Sequence, residues 1–76
     1  MFKIGTKVKI TKCSNRDAIG FIGNLANKEI YAKITNPFYY HEIMKEIDET
    51  QIMIIGDDKS FISNKNGFVE FELYVP

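Results

Sequence analysis

The chain has 76 residues, of which 45% are hydrophobic and 26% charged, and its formal net charge is zero. These are the values of a globular protein, and they exclude the low hydrophobicity and high net charge of intrinsic disorder. A chain of this length buries only about 60% of its unfolded surface and cannot divide that core. Residues 1–76 are therefore expected to form a single domain.

Cysteine content and hydropathy indicate the compartment. Cys13 is the only cysteine, so an intrachain disulfide is excluded, and the start MFKIG lacks the apolar core of a secretory signal. The longest apolar run, residues 52–55, is far shorter than the roughly 20 residues that span a bilayer. We expect a soluble, cytoplasmic protein. Twelve Ile, nine Lys and six Asn against one Arg indicate AT-rich coding DNA, as in a low-GC bacterium, its phage or its plasmid.

The clearest strand pattern lies in residues 2–10. Apolar residues occupy even positions and lysines odd ones, namely Phe2, Ile4, Val8 and Ile10 against Lys3, Lys7 and Lys9. This alternation is typical of a half-buried strand. Residues 13–20 are rich in turn formers, and Gly20 and Gly23 flank an apolar pair. We expect a loop there that re-enters a strand.

Residues 29–35 (EIYAKIT) alternate in the same way, which predicts another strand with Ile30, Ala32 and Ile34 on one face. A helix is predicted next, over about residues 37–48, because Asn36-Pro37 suits a helix start. Apolar residues then recur at helical spacing, at Tyr40, Ile43, Met44 and Ile47. The opposite face is polar and largely acidic, so this helix is expected to be amphipathic.

The C-terminal part predicts three short elements. Residues 52–55 are apolar throughout, which predicts a strand covered on both faces, with the 37–48 helix on one of them. A turn at 56–59, a strand at 60–63, a tight hairpin at Asn66-Gly67 and a last alternating strand follow. The predicted core consists of Ile4, Val8, Ile10, Ile22, Ile34, Ile54, Phe71 and Leu73.

The glycine spacing carries a resemblance to a known family. Gly5 ahead of Val8, and Gly20 and Gly23 opening the second strand, together with five short strands, resemble SH3-like small β-barrels of the KOW type. The match covers about residues 5–34, with FVEFELYVP as the closing strand. The resemblance implies a mainly β fold, a small antiparallel barrel, here with the amphipathic helix of about 37–48 inserted. Cys13-Ser14 stand where these families commonly have glycine.

In KOW domains the loop after the first strand and the glycine-rich re-entry often contact RNA or a protein of a ribonucleoprotein. The resemblance therefore nominates a nucleic-acid site formed by Lys12, Ser14, Asn15, Arg16, Gly20 and Gly23. Charge supports it, since residues 1–33 carry seven cations and two acids, whereas residues 34–76 carry three cations and eight acids. The alternative is internal pairing, with Glu70 and Glu72 of the last strand opposite the lysines of the first.

No constellation of residues supports catalysis or metal binding. His41-Glu42 begins an HExxH zinc motif, but Lys45 occupies the fifth position and the chain has no second histidine. Cys13 with His41 could form a nucleophile and base, and Asp57-Asp58 a carboxylate pair, yet the first lacks an evident cleft and the second suits a turn. We expect no enzymatic activity, no metal and no cofactor.

The remaining candidate is a protein-binding surface at the start of the predicted helix. Phe38, Tyr39 and Tyr40 cannot all face inward at helical spacing, so one or two should be partly exposed, and Glu42 and Glu46 accompany them. The alternative is that these rings cover the end of the barrel. We expect a non-catalytic binding module for a protein partner, such as an accessory or inhibitor protein of a phage or mobile element, acting as a monomer or weak dimer. The alternative is RNA or DNA binding through the basic loop 12–23.

Overall fold

The computed structural model describes residues 2–35, 38, 41–42, 45, 48, 50–65 and 67–76. In this part of the chain the elements are β1 (Lys7–Cys13), a 3-10 turn (Arg16–Ala18), β2 (Ile22–Ala26), α1 (Lys28–Thr35), β3 (Met53–Ile55), β4 (Phe61–Ser63) and β5 (Val69–Leu73). The predicted mainly β fold is confirmed. Among the described residues, no helix is both long and apolar enough to cross a membrane.

The five strands form one antiparallel sheet in the order β4-β3-β2-β1-β5. The first and last strands are therefore neighbours, as expected. The tight hairpin predicted at Asn66-Gly67 is wrong, because β4 pairs with β3 while β5 pairs with β1, at the opposite side of the sheet. The Ser14 N–H donates to the Phe68 carbonyl (3.1 Å), which directs the chain after Gly67 onto β1. Asn66 itself lies outside the described residues.

A β-bulge shifts the register within β1. Ile10 lies opposite Phe71 and Lys12 opposite Glu70, so Thr11 is an extra residue without a partner in β5. After this extra residue Cys13 faces the same side as Ile10, and it is only 6% exposed. The prediction that Cys13 belongs to a loop is therefore wrong. The strand appeared to end at Ile10 because the bulge breaks its alternation.

The strand predicted at 29–35 is wrong, because these residues belong to helix α1. Asn27 caps the helix: its side-chain oxygen accepts from the Ile30 N–H (2.9 Å), and its carbonyl from the Tyr31 N–H (2.9 Å). Ala32 is fully buried, whereas Ile30 and Ile34, one turn apart, remain partly exposed. The apolar spacing of this segment fits both periods, and the local cap together with the packing of Ala32 favours the helix.

The sheet is apolar on both faces. One face carries the larger core cluster, formed by Val8, Ile10, Cys13, Ala18, Leu25, Ile54 and Val69. On the other face Ala26, Met53 and Ile55 pack together with Tyr31 of α1. All of β3 is therefore buried, as predicted, but the helix that contacts it is α1. The predicted helix of about 37–48 falls mostly outside the described residues; His41, Glu42 and Lys45 have helical backbone.

The predicted core is half confirmed. Val8, Ile10 and Ile54 are buried, and Phe71 packs partly buried against them. Exposed side chains stand at the other four predicted positions, which are Ile4, Ile22, Ile34 and Leu73. Ile22 is exposed because it lies opposite Lys9, on the face of the sheet that does not carry the larger core cluster. We call the part of that face around Lys9 the outer face. Ile4 precedes β1 in a turn and is 53% exposed.

Candidate functional site

The predicted protein-binding residues lie between α1 and β3. Phe38 is 94% exposed, so almost all of its ring meets solvent. Glu42 is exposed and has helical backbone, as has its neighbour His41. Tyr39, Tyr40 and Glu46 lie outside the described residues. We call the exposed pair Phe38 and Glu42 the aromatic–acidic surface.

Asp48, at the end of this segment, has a structural role in a turn that was not predicted from the sequence. Its carboxylate accepts a hydrogen bond from the Thr50 N–H (2.9 Å), and its carbonyl accepts from the Gln51 N–H (3.1 Å). The bond from the Thr50 backbone holds the pKa of Asp48 below its ordinary value. Asp48 therefore fixes the turn into β3, as short acidic side chains often do.

The lysines of β1 lie beside groups of the C-terminal strand. Lys9 is the register partner of Glu72, and Lys12 that of Glu70. These are the cross-strand pairs that the sequence predicted. The Lys7 ammonium lies over the ring of Tyr74, 5.4 Å from its centroid, in a cation–π contact. Two of these lysines thus lie opposite acids of the same sheet, and the third contacts an aromatic ring.

Two predicted nucleic-acid ligands have structural partners in the loop that follows β1. The Ser14 hydroxyl accepts from the Phe68 N–H (3.2 Å), which ties this loop to the start of β5. The Asn15 side chain accepts from the Asp17 N–H (3.2 Å) and caps the 3-10 turn. The Ser14 hydroxyl and the Asn15 side-chain oxygen thus accept hydrogen bonds from the backbone of the same fold. Arg16 and Lys12 keep exposed side chains.

The two glycines of the nominated nucleic-acid site are required by the backbone. Gly20 has φ +92°, in the region that favours glycine. Gly23 is buried in β2, and a Cβ there would lie 2.7 Å from the Ile55 carbonyl oxygen and 2.9 Å from the Ile54 side chain. β2 and β3 can approach this closely only because Gly23 has no side chain. Gly23 is thus a packing residue, and its backbone is enclosed by the sheet.

Sequence reasoning missed two hollows on the surface. One, of about 520 Å³, lies between the end of β1 and β4, with Cys13, Tyr31, Phe61 and Lys65 in its lining. The other, of about 460 Å³, is more apolar and is lined by Phe2, Ile4, Gln51, Ile52 and Phe71 among others. Both combine residues distant in sequence. Only the strand pairing brings them together, so no local motif could have signalled them.

The described part of the chain offers no obvious chemical centre. Cys13 is buried in the core, and His41 is exposed on the segment after α1. Among the described residues, no three His, Cys, Asp or Glu side chains come together as metal ligands would. Asp58 serves the turn at 56–59, as predicted, by accepting from the Ser60 N–H (3.0 Å).

Comparisons of the chain with protein-family models, with curated proteins and with solved structures found no match.

Proposed function

We propose that this chain is a small non-catalytic binding module, and that it contacts a protein partner through the aromatic–acidic surface. The exposure of Phe38 is the observation that carries the proposal. An almost fully exposed phenyl ring leaves its apolar area in water, and burying it in an interface yields about 1.5–3 kcal/mol. Aromatic side chains of this kind are enriched among the hot spots of protein interfaces.

The charges of β1 and β5 support a protein partner over a nucleic acid. Phosphate binding depends on basic side chains that are free to replace counterions. Lys9 and Lys12 lie opposite Glu72 and Glu70, and Lys7 lies over the ring of Tyr74, so acids accompany two lysines of this face and the third has an aromatic partner. Binding of RNA or DNA through the loop 12–23 is the second candidate. It is supported by the exposed side chains of Lys12 and Arg16.

We further propose that the fold is a SH3-like barrel. The adjacency of β1 and β5, and the entry into β2 through Gly20 and Gly23, support this assignment. The lysine-rich and isoleucine-rich composition supports an origin in a low-GC bacterium or its phage. An accessory or inhibitor protein that acts in the cytoplasm, as a monomer or weak dimer, fits such an origin and the small size of the chain.

Photo-crosslinking tests the protein partner directly. A benzoylphenylalanine in place of Phe38 is expected to form a crosslinked protein adduct in cells of the source, and one in place of Arg16 is not. Phe38→Ser should weaken binding of the identified partner by about 2 kcal/mol, a hot-spot value, while unfolding stays cooperative. Tyr39→Ala and Tyr40→Ala test the two neighbouring aromatics in the same assay.

A salt titration with labelled random-sequence RNA and DNA tests the second candidate. Phosphate contacts give an affinity that falls steeply with salt concentration, and a protein interface need not. The protein-partner proposal fails if Lys12→Ala and Arg16→Ala abolish a salt-dependent binding to nucleic acid while Phe38→Ser, Tyr39→Ala and Tyr40→Ala change nothing. In that outcome the basic loop is the functional site.

A further inference from the structure

The outer edge of β5 carries backbone N–H and C=O groups that point away from β1. The Tyr74 N–H donates to the Lys7 carbonyl (3.0 Å) and the Phe68 carbonyl accepts from the Ser14 N–H (3.1 Å), so these two residues face β1. Successive residues of an antiparallel strand point their N–H and C=O groups to opposite sides. The N–H and C=O groups of Val69, Phe71 and Leu73 therefore point away from β1. Within the described part of the chain no strand pairs with that side.

The two edges of the sheet differ in how they are protected. β4 is three residues long and lies between Lys59 and Lys65. Short edge strands and lysines are the usual means by which proteins prevent pairing with another chain. β5 is five residues long, and residues 66–76 contain neither lysine nor arginine. Of the two edges, β5 is the one open to an added strand.

The side chains of β5 define what such a strand must look like. Glu70 and Glu72 are exposed on one face, and Leu73, which is 51% exposed, lies on the other. β1 already matches this pattern from its own side. The lysines of β1 lie opposite the acids of β5, in the pairs Lys9–Glu72 and Lys12–Glu70. Its aliphatic residues lie opposite apolar residues of β5, in the pairs Val8–Leu73 and Ile10–Phe71. The outer edge of β5 offers the same acids and apolar side chains to a second neighbour.

We propose that the outer edge of β5 binds, by strand addition, an extended segment of a partner protein in which lysine or arginine alternates with aliphatic residues. Main-chain hydrogen bonds supply affinity in this mode and the alternate side chains supply specificity. A second copy of this chain is disfavoured, because antiparallel pairing of two β5 strands around Phe71 sets glutamates opposite glutamates. This surface is distinct from Phe38 and Glu42, so it extends the proposed function and does not depend on it.

A pair of capped peptides tests the proposal. The basic probe has the sequence KVKITKS, which is β1 with serine in place of cysteine, and the control EVEITES inverts its charges. The basic probe should slow hydrogen exchange at the Phe71 and Leu73 amides, which point outward and should exchange fast in the free protein. The Glu72 and Tyr74 amides, which face β1, should be slow throughout. The acidic control should leave all four unchanged.

Two substitutions at one exposed position separate backbone pairing from side-chain contact. Leu73→Pro removes an N–H that makes no bond to β1 and should lower affinity for the basic probe about tenfold or more. Leu73→Ala keeps the N–H and should stay within about threefold of the parent. Melting temperature checks that both variants fold.

Four results would overturn the proposal. These are no binding of the basic probe at about millimolar concentration, equal binding of both peptides, loss of affinity in Leu73→Ala equal to that in Leu73→Pro, and slow exchange at Phe71 and Leu73 in the free protein. Protection that rises with protein concentration alone would assign the edge to self-association instead.

Discussion

The ring of Tyr31 on α1 meets the ring of Phe61 on β4 edge-on, with centroids 4.6 Å apart and ring planes at 83°. Phe61 lies opposite Ile55 in the β3–β4 ladder, so the contact joins the helix to an edge of the sheet. Partial burial raises the pKa of the Tyr31 hydroxyl. This aromatic pair holds α1 over the smaller of the two apolar clusters.

Removing that ring should loosen the helix. Tyr31→Ala is expected to lower the free energy of unfolding by about 1–3 kcal/mol, since it loses both buried area and an edge-to-face pair. Tyr31→Phe keeps the ring and serves as the matched control. Urea denaturation followed by far-ultraviolet circular dichroism measures both. An unchanged midpoint in Tyr31→Ala would mean that the helix is held elsewhere.

Because β2 and β3 approach closely at Gly23, we expect substitution of this residue to lower the free energy of unfolding. A methyl group there would overlap the backbone of Ile55, so Gly23→Ala should cost about 1–3 kcal/mol or more. Gly20→Ala meets no atom within 4 Å but must adopt φ +92°, and should cost about 1 kcal/mol. Thermal unfolding of the two variants gives their order. A milder effect at Gly23 than at Gly20 would contradict the packing described for β2 and β3.

Ile54 and Leu73, which were both predicted to lie in the core, differ in how much of each side chain is exposed. Ile54 is fully buried, and Ile54→Ala should cost about 2–5 kcal/mol, which could unfold so small a domain. Leu73→Ala, at an exposed position, should cost less than about 1 kcal/mol. Guanidinium titration of each variant tests this. Equal losses at the two sites would show that Leu73 belongs to the core after all.

Asp58 gives the turn between β3 and β4 a dependence on pH. The Ser60 hydroxyl and then its N–H donate to this carboxylate, and both bonds lower the pKa of Asp58. A lowered pKa means that the stabilisation is present above the unfolded-state pKa and is lost as the pH falls through the folded-state value. Ser60→Ala should move the pKa of Asp58 upward, as measured by carboxyl ¹³C titration. A pKa that does not move would rule out the hydroxyl as its main cause.

The pair Lys9 and Glu72 tests the charge balance of the outer face. Lys9→Glu places two acids opposite each other and should be destabilising, and Glu72→Lys in the same chain should restore stability. A double-mutant cycle should give a coupling of about 0.2–1 kcal/mol that shrinks at high salt. Zero coupling at low salt would mean that the register pairing carries no electrostatic energy.

Alternation and turn chemistry predicted most of the sheet. The sequence placed strands near all five observed positions and set Glu70 and Glu72 opposite the lysines of β1. This works because, outside a bulge, side-chain direction in a strand alternates with residue parity. The turn at 56–59 was equally readable, since Gly and Asp favour such turns by their local chemistry.

The errors have physical causes that a single sequence conceals. The spacing of Ile30, Ala32 and Ile34 fits a strand or a helix, and packing against β3 together with the local cap decides between them. Asn27, a favoured N-cap residue, was the overlooked local signal. Leu73 shares a face with the core residue Val8 but lies on an edge strand. Ile22 shares a face with Lys9, because the core-facing positions of its strand are Gly23 and Leu25. The hollows depend on tertiary contacts, which no local pattern encodes.

The bend of β1 depends on the presence of Thr11 as an extra residue and not on its side chain. Ahead of it β1 pairs with both β2 and β5, and beyond it β1 follows β5 alone. A bulge bends its strand and increases the local twist. Many residue types can therefore replace Thr11, because its side chain is exposed. Deleting it would leave Lys12 opposite Glu70 and Cys13 opposite Val69 in a regular ladder, with Cys13 still on the face of Ile10, and would remove the bend. The Cys13 thiol of a Thr11 deletion variant should therefore stay as unreactive toward an alkylating reagent as that of the parent, whereas inserting a second residue beside Thr11 should expose it.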